Sequence, residues 1–179
     1  GNNTFEFLKL PISARVAALG GNLISAKYND LIVVITNPAL LTDSMSDNVA
    51  LSYVNYFADV NYGYAAYAKK IKKVGIVGGG IQYLDYGSFK RADEFGNIDG
   101  TFKASDMSIN LSYANSVFDS NLVVGATLKT IYSAMETYYS WGSAVDIGAV
   151  YSRPAKKFAV GFVIKNVGRQ WKPYTVGNY

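Results

Sequence analysis

From Asn48 onward the chain alternates apolar and polar residues with a period of two, in segments of about ten residues divided by breaks. "DMSINLSYAN" (106–115) puts Met107, Ile109, Leu111 and Tyr113 on one face and Ser108, Asn110, Ser112 and Ala114 on the other. "LVVGATLKTIYS" sets Leu122, Val124, Ala126, Leu128 and Tyr132 against Gly125, Thr127 and Lys129. "WGSAVDIGAVY" sets Trp141, Val145, Ile147, Ala149 and Tyr151 against Gly142, Asp146 and Gly148, and "FAVGFVIKNVG" sets Phe158, Val160, Phe162 and Ile164 against Gly161 and Lys165. In these last three segments the charge falls on the small-residue face, and aromatics gather near the ends of the apolar face. An apolar band closed at both ends by aromatics, on strands of this length, describes the wall of a transmembrane barrel. The pattern predicts seven strands, at 48–57, 62–69, 74–84, 106–117, 122–133, 140–151 and 158–168.

The breaks predict two unlike rims. "KKIKK" (69–73), "FDSN" (118–121) and "SRPAKK" (152–157) are short, whereas "DYGSFKRADEFGNIDGTFKA" (85–104) reads as a long loop. Outer-membrane barrels keep short turns on the periplasmic side and longer loops outside the cell.

Within the third segment, "KKVGIVGGGIQYLDYG" (72–87) carries three consecutive glycines. A phosphate loop would set them at a strand-to-helix turn, where the helix N-terminus holds the anion. No helical pattern follows, no Lys-Ser or Lys-Thr pair comes after the glycines, and the spacing departs from G-x-G-x-x-G. Gly78 to Gly80 are therefore expected inside a strand, where something approaches closely. With Gly75, Gly125, Gly142, Gly148 and Gly161 they leave an interior that another part of the chain must fill. The first 47 residues do not alternate: "PISARVAALGGNLIS" and "NPALLTD", with Asn37 as a cap and Pro38 at the first helical position, predict short turns or helices packed as a plug. "LIVVI" (31–35) reads either as part of this plug or as a strand.

Composition supports the membrane reading. Half of the 179 residues are apolar and only 17% are charged, against about 25% in a typical soluble domain. The longest apolar runs, "LIVVI" and "FAVGFVI", fall far short of the roughly 18 residues of a membrane helix. The polar start "GNNT" predicts a mature or processed end. There is no Cys and no His, which removes disulfides, thiolate metal sites and the commonest general base; no catalytic constellation and no cofactor is predicted. Lys69, Lys70, Lys72 and Lys73, with the net charge of +4, are expected to form a basic periplasmic turn; no aromatic stacking surface for nucleic acid lies between them.

Several longer blocks, "FEFLKLPISARVAALGG", "NPALL", "YVNYFADVNYGYAAYA", "GIQYLDYGSF", "DEFGNIDGTFKASD" and "NVGRQWKPYT", together resemble the PorQ proteins of the Bacteroidetes type IX secretion system. These are outer-membrane barrels related to PorV and, more distantly, to the FadL fatty-acid transporters. The resemblance implies an all-β, antiparallel transmembrane barrel of FadL/PorV type with an N-terminal plug at 1–47, seven of its strands at 48–168, and the start of the next loop or strand at 169–179. Members run on past the "KPYT" block, and an odd, unclosed set of strands would expose an edge to lipid. Both points predict an incomplete barrel here, and the resemblance to FadL-like barrels implies about half of fourteen strands.

The resemblance also implies a non-enzymatic role at the bacterial outer membrane, in the complex that attaches secreted cargo to surface lipopolysaccharide. A PorQ-like barrel would hold the surface protein PorZ near the sortase PorU and the barrel PorV. Loop 85–104 then becomes the candidate partner surface, with Phe89, Arg91, Asp93, Glu94, Phe95, Asp99 and Phe102 as its larger and charged residues. Asp93, Glu94, Asn97 and Asp99 miss the calcium-loop spacing and predict instead a hairpin with an Asp-Gly turn. Lys129, Asp146 and Lys165, from three successive strands, are expected to form an inward charge ladder. A FadL-like channel for hydrophobic small molecules and a soluble β-sandwich binding module remain open as alternative functions.

Overall fold

The computed structural model describes residues 4–25, 28–117 and 121–176. One antiparallel sheet contains β1 (Val49–Asn55), β2 (Asn61–Ile71), β3 (Gly75–Ala92), β4 (Ile98–Val117), β5 (Leu122–Met135), β6 (Tyr138–Arg153) and β7 (Phe158–Val176), paired in chain order. β1 and β7 do not pair with each other, so the sheet is open. A sandwich needs two sheets packed face to face; the described residues form one sheet.

The predicted faces appear on each strand. Ile109, Leu111, Leu128, Val145, Ile147, Val160, Phe162 and Ile164 are exposed on one side. The opposite residues of β4 to β6, including Ser108, Asn110, Thr127, Lys129, Ala144 and Asp146, are buried. What buries them is the N-terminal segment. It consists of α1 (Ala14–Ala18) and four single turns of 3-10 helix at Glu6–Lys9, Leu31–Ile35, Pro38–Leu40 and Asp43–Met45. "LIVVI" is thus a 3-10 turn, started by Asp30, whose carboxylate accepts from the amide of Ile32. Asn37 caps the next turn by accepting from the amide of Ala39 at 2.9 Å, with Pro38 at its first position.

The stretch 31–40 touches β1 and β2 with its first half and β4, β5 and β6 with its second. Neighbouring strands lie about 4.8 Å apart, so the sheet must curl for so short a segment to reach both sides. Leu23, Val33, Leu40, Leu41 and Met45 pack there on Ala68, Ile76, Ala114, Val123 and Val150. A second cluster joins Phe7, Leu8 and Ile12 to Tyr62, Leu84, Ile131 and Ala144.

Close seating requires glycine on the wall. A Cβ added to Gly125 would lie 2.6 Å from the Pro38 carbonyl carbon, and one added to its cross-strand neighbour Gly148 would collide with the Asn37 side chain. The triplet behaves similarly in part: Gly78 lies under Leu41 and Gly80 makes room for the Tyr64 ring, while Gly79 faces outward with open space beside it. Between the glycines the buried polar groups satisfy one another. Gln82 donates to the Tyr62 hydroxyl at 2.9 Å, Asn110 donates to Gln82, and Ser112 bonds Thr127 at 2.7 Å.

Three sequence expectations need correction. Residues 85–104 are not a loop: β3 and β4 run on through them as a paired ribbon, with register shifts between Asp85 and Ser88 and between Arg91 and Ala92, leaving only 93–97 outside the strands. Consequently the rims do not differ in connection length, since 56–60, 93–97 and 136–137 are as short as the turns at the other end. And residues 169–176 begin no new element but continue β7. Alternation reflects one-sided burial, and the outer part of the ribbon, 88–99, is exposed throughout and needs only backbone pairing. Part of "FDSN", residues 118–120, lies outside the described residues.

Candidate functional site

The ribbon gathers the predicted partner residues at one end of the sheet. Phe89 and Phe102 are cross-strand neighbours with stacked rings, centroids 5.2 Å apart. Two residues further along, Arg91 donates to Asp99 at 2.9 Å and to Glu136 of the β5–β6 turn at 3.0 Å. This fork ties the ribbon to the neighbouring hairpin. Both carboxylates hold the guanidinium further into its charged form.

At the tip, Asp93 closes the turn by accepting from the amides of Phe95 at 2.9 Å and Asn97 at 2.8 Å, and from the Asn97 side chain. The Asn97 side chain, then the backbone donors, hold its carboxyl below the usual aspartate value. The turn residues are therefore 93–97; Asp99 and Gly100, the expected Asp-Gly turn, sit inside β4 with Gly100 opposite Arg91. Glu94 is exposed beside Phe95, which is 81% exposed. Aromatic, acidic and basic groups are thus presented together on a stiffened projection.

Under the N-terminal segment, Lys129 of β5 and Asp146 of β6 form an ion pair at 2.7 Å with side chains only 3% and 1% exposed. Asn166 completes it: its amide donates to Asp146 at 2.7 Å and its side-chain oxygen accepts from Lys129 at 2.8 Å. Asn166 has φ 57°, in the left-handed region, and marks a β7 bulge in which Ile164 and Val167 face Ile147 and Val145. Lys165 points to the same interior but enters no ion pair among the described residues. It lines a cavity of about 660 Å³ between the N-terminal segment and β5 to β7, with Arg169, Lys9, Phe5 and Leu8.

A third polar group was not foreseen. Asp106 of β4, 7% exposed, accepts from the Tyr86 hydroxyl at 2.6 Å and from Ser133. Ser133 in turn meets the Tyr174 hydroxyl at 2.7 Å. Asp106 stands on the polar face of the alternating "DMSINLSYAN", which signalled its inward side; its partners, from β3, β5 and β7, had no such signal. At the opposite rim Asp47 is paired with Lys69 and Lys70 with Asp43, so the basic cluster is partly neutralised.

The chain matches no protein-family model, and the search of curated proteins found no match.

Proposed function

We propose that this chain forms the plug and part of the wall of an outer-membrane β-barrel that holds a surface partner in the type IX secretion attachment complex. The observation that carries the membrane part is the inversion of the sheet: its apolar face is bare and its polar, glycine-rich face is covered. On β6 the aromatics Trp141 and Tyr151 stand ten residues apart at the two ends of the exposed face. Ten residues span about 33 Å of strand, or about 25 Å of height at a tilt near 40°, the height of the apolar band of outer-membrane barrels. Trp141 stacks on Trp171 at 6.2 Å, which thickens the aromatic end. In this reading residues 4–48 are the plug and the free edges of β1 and β7 are covered by further strands, because unpaired backbone groups in hydrocarbon cost several kcal/mol each.

The secretion role rests on the resemblance to PorQ proteins and is supported by the ribbon. Its tip carries Phe95, Asp93 and Glu94 beyond the aromatic end of the wall, on a base braced by the Arg91 fork. PorZ-like, PorU and PorV proteins and surface lipopolysaccharide are the partners this reading names. The second reading, a channel for small hydrophobic molecules, draws on the 660 Å³ cavity, which has the volume of a ligand site. Its cationic lining fits an apolar passenger poorly.

The test is to isolate the tagged native protein from outer membranes in mild detergent and identify what comes with it by mass spectrometry. Recovery of a large surface protein with sortase components supports the proposal. A bound fatty acid or similar apolar ligand with no such partner refutes it in favour of the channel, and recovery from the aqueous fraction without detergent refutes both.

A further inference from the structure

Where the ribbon leaves the sheet, Tyr86, Phe89, Phe102 and Tyr174 line a cavity of about 310 Å³ together with Asp106 and Ser133. The hydroxyls of Tyr86 and Ser133 orient the Asp106 carboxylate, but neither brings positive charge. Among the described residues no cation forms an ion pair with Asp106; Lys90 and Lys103 of the ribbon are exposed and enter no ion pair. Arg91 is held by Asp99 and Glu136, and Lys129, four residues and about 13 Å along β5 from Ser133, is held by Asp146. Lys172 of β7 lies against the ring of Tyr139. A buried carboxylate without a counter-ion is costly, and aromatic faces attract cations. The cavity offers both kinds of attraction in one place.

We propose that this cavity binds an alkylammonium or guanidinium group, the chemistry of a Lys or Arg side chain on a protein partner or of a free amine. Its volume lies at the small end of ligand pockets and suits one such side chain rather than a large ligand. The site stands independently of the secretion reading, since it needs only the local geometry.

The native protein in detergent micelles is titrated with n-butylammonium, n-butylguanidinium and neutral n-butanol, with binding followed by NMR of ring-labelled Tyr and Phe. Saturable shifts with the two cations and none with the alcohol are expected. Asp106→Asn keeps the side chain's shape and its acceptor for Tyr86, and should weaken cation binding about tenfold or more. Phe102→Leu removes one aromatic face and should weaken it less, with unchanged thermal unfolding; it carries the test if Asp106→Asn fails to fold. A capped pentapeptide with one central Lys separates the sources: tighter binding than the free amine assigns the site to a protein side chain, weaker binding to a small amine. Equal binding of n-butanol, or cation binding indifferent to both variants, overturns the proposal.

Discussion

Two isoleucines offer a direct test of what covers the apolar face. Ile147 on β6 is 59% exposed and Ile98 on the ribbon is 61% exposed. In water they are equivalent, and replacing either by Arg changes stability by no more than about 0.5 kcal/mol. In a bilayer they differ. Ile147 lies four residues from Tyr151 and six from Trp141, which at about 3.3 Å per residue and a tilt near 40° puts it about 10 Å above one edge of a band about 25 Å high. This is within about 3 Å of the midplane, where an Arg facing lipid costs about 2–4 kcal/mol. Ile98 stands beyond the band and retains the aqueous expectation. The predicted difference between Ile147→Arg and Ile98→Arg corresponds to roughly a 30- to 900-fold change in the folding equilibrium. The assay is reversible guanidinium unfolding of the vesicle-inserted protein, read by the fluorescence of Trp141 and Trp171, the two tryptophans of this sequence. Equal losses at the two sites, or an Ile147→Arg variant as stable as the parent, would refute the assignment of this face to lipid.

Gly148→Ala should cost about 1–3 kcal/mol by overpacking and expose the N-terminal segment to protease, because the new methyl meets Asn37; Gly79→Ala, with nothing within 4 Å, should do neither. Matching cleavage patterns for the two variants would count against the seating described. Lys129→Met leaves Asp146 buried without its cation and should cost about 3–5 kcal/mol, with much of that recovered in Lys129→Met/Asp146→Leu; a single-variant loss below about 1 kcal/mol in chemical unfolding would contradict it. Because the folded tip lowers the Asp93 pKa, its contribution is fully present above the ordinary aspartate value and is lost as pH falls through the lower folded value. Exchange protection of the Phe95 and Asn97 amides should therefore persist at pH 5 and disappear only below about pH 4; loss at pH 5 would disprove the sign.

The wall was legible because one solvent boundary runs along all of it. Burial of one face and exposure of the other impose a period of two, so the facing of Ile109, Leu128, Ile147 and Phe162 could be read residue by residue. The Asn37–Pro38 cap was legible too, since its chemistry is local. The ribbon was not: residues 88–99 are exposed throughout, so no side-chain period marks them, and their pairing is a backbone matter. Nor was the Asn166 bulge, since one inserted residue in β7 changes the facing from Ile164 to Val167 while each half still alternates correctly.

The same reasoning explains why the features with the most chemistry were the least visible. The interior face answers to a segment that does not repeat, so its residues are chosen singly: glycine at 125 and 148 under Asn37 and Pro38, Lys129 and Asp146 opposite the bulge, Asp106 beneath Tyr86. Each of these depends on a residue from another strand or from the N-terminal segment, and no spacing within one strand encodes that. Charge still leaves a trace, because a Lys or Asp on the covered face of an alternating strand must find a partner or a ligand. Lys129 and Asp146 found each other; Asp106, on the same face and without a cation, is where a ligand is to be sought.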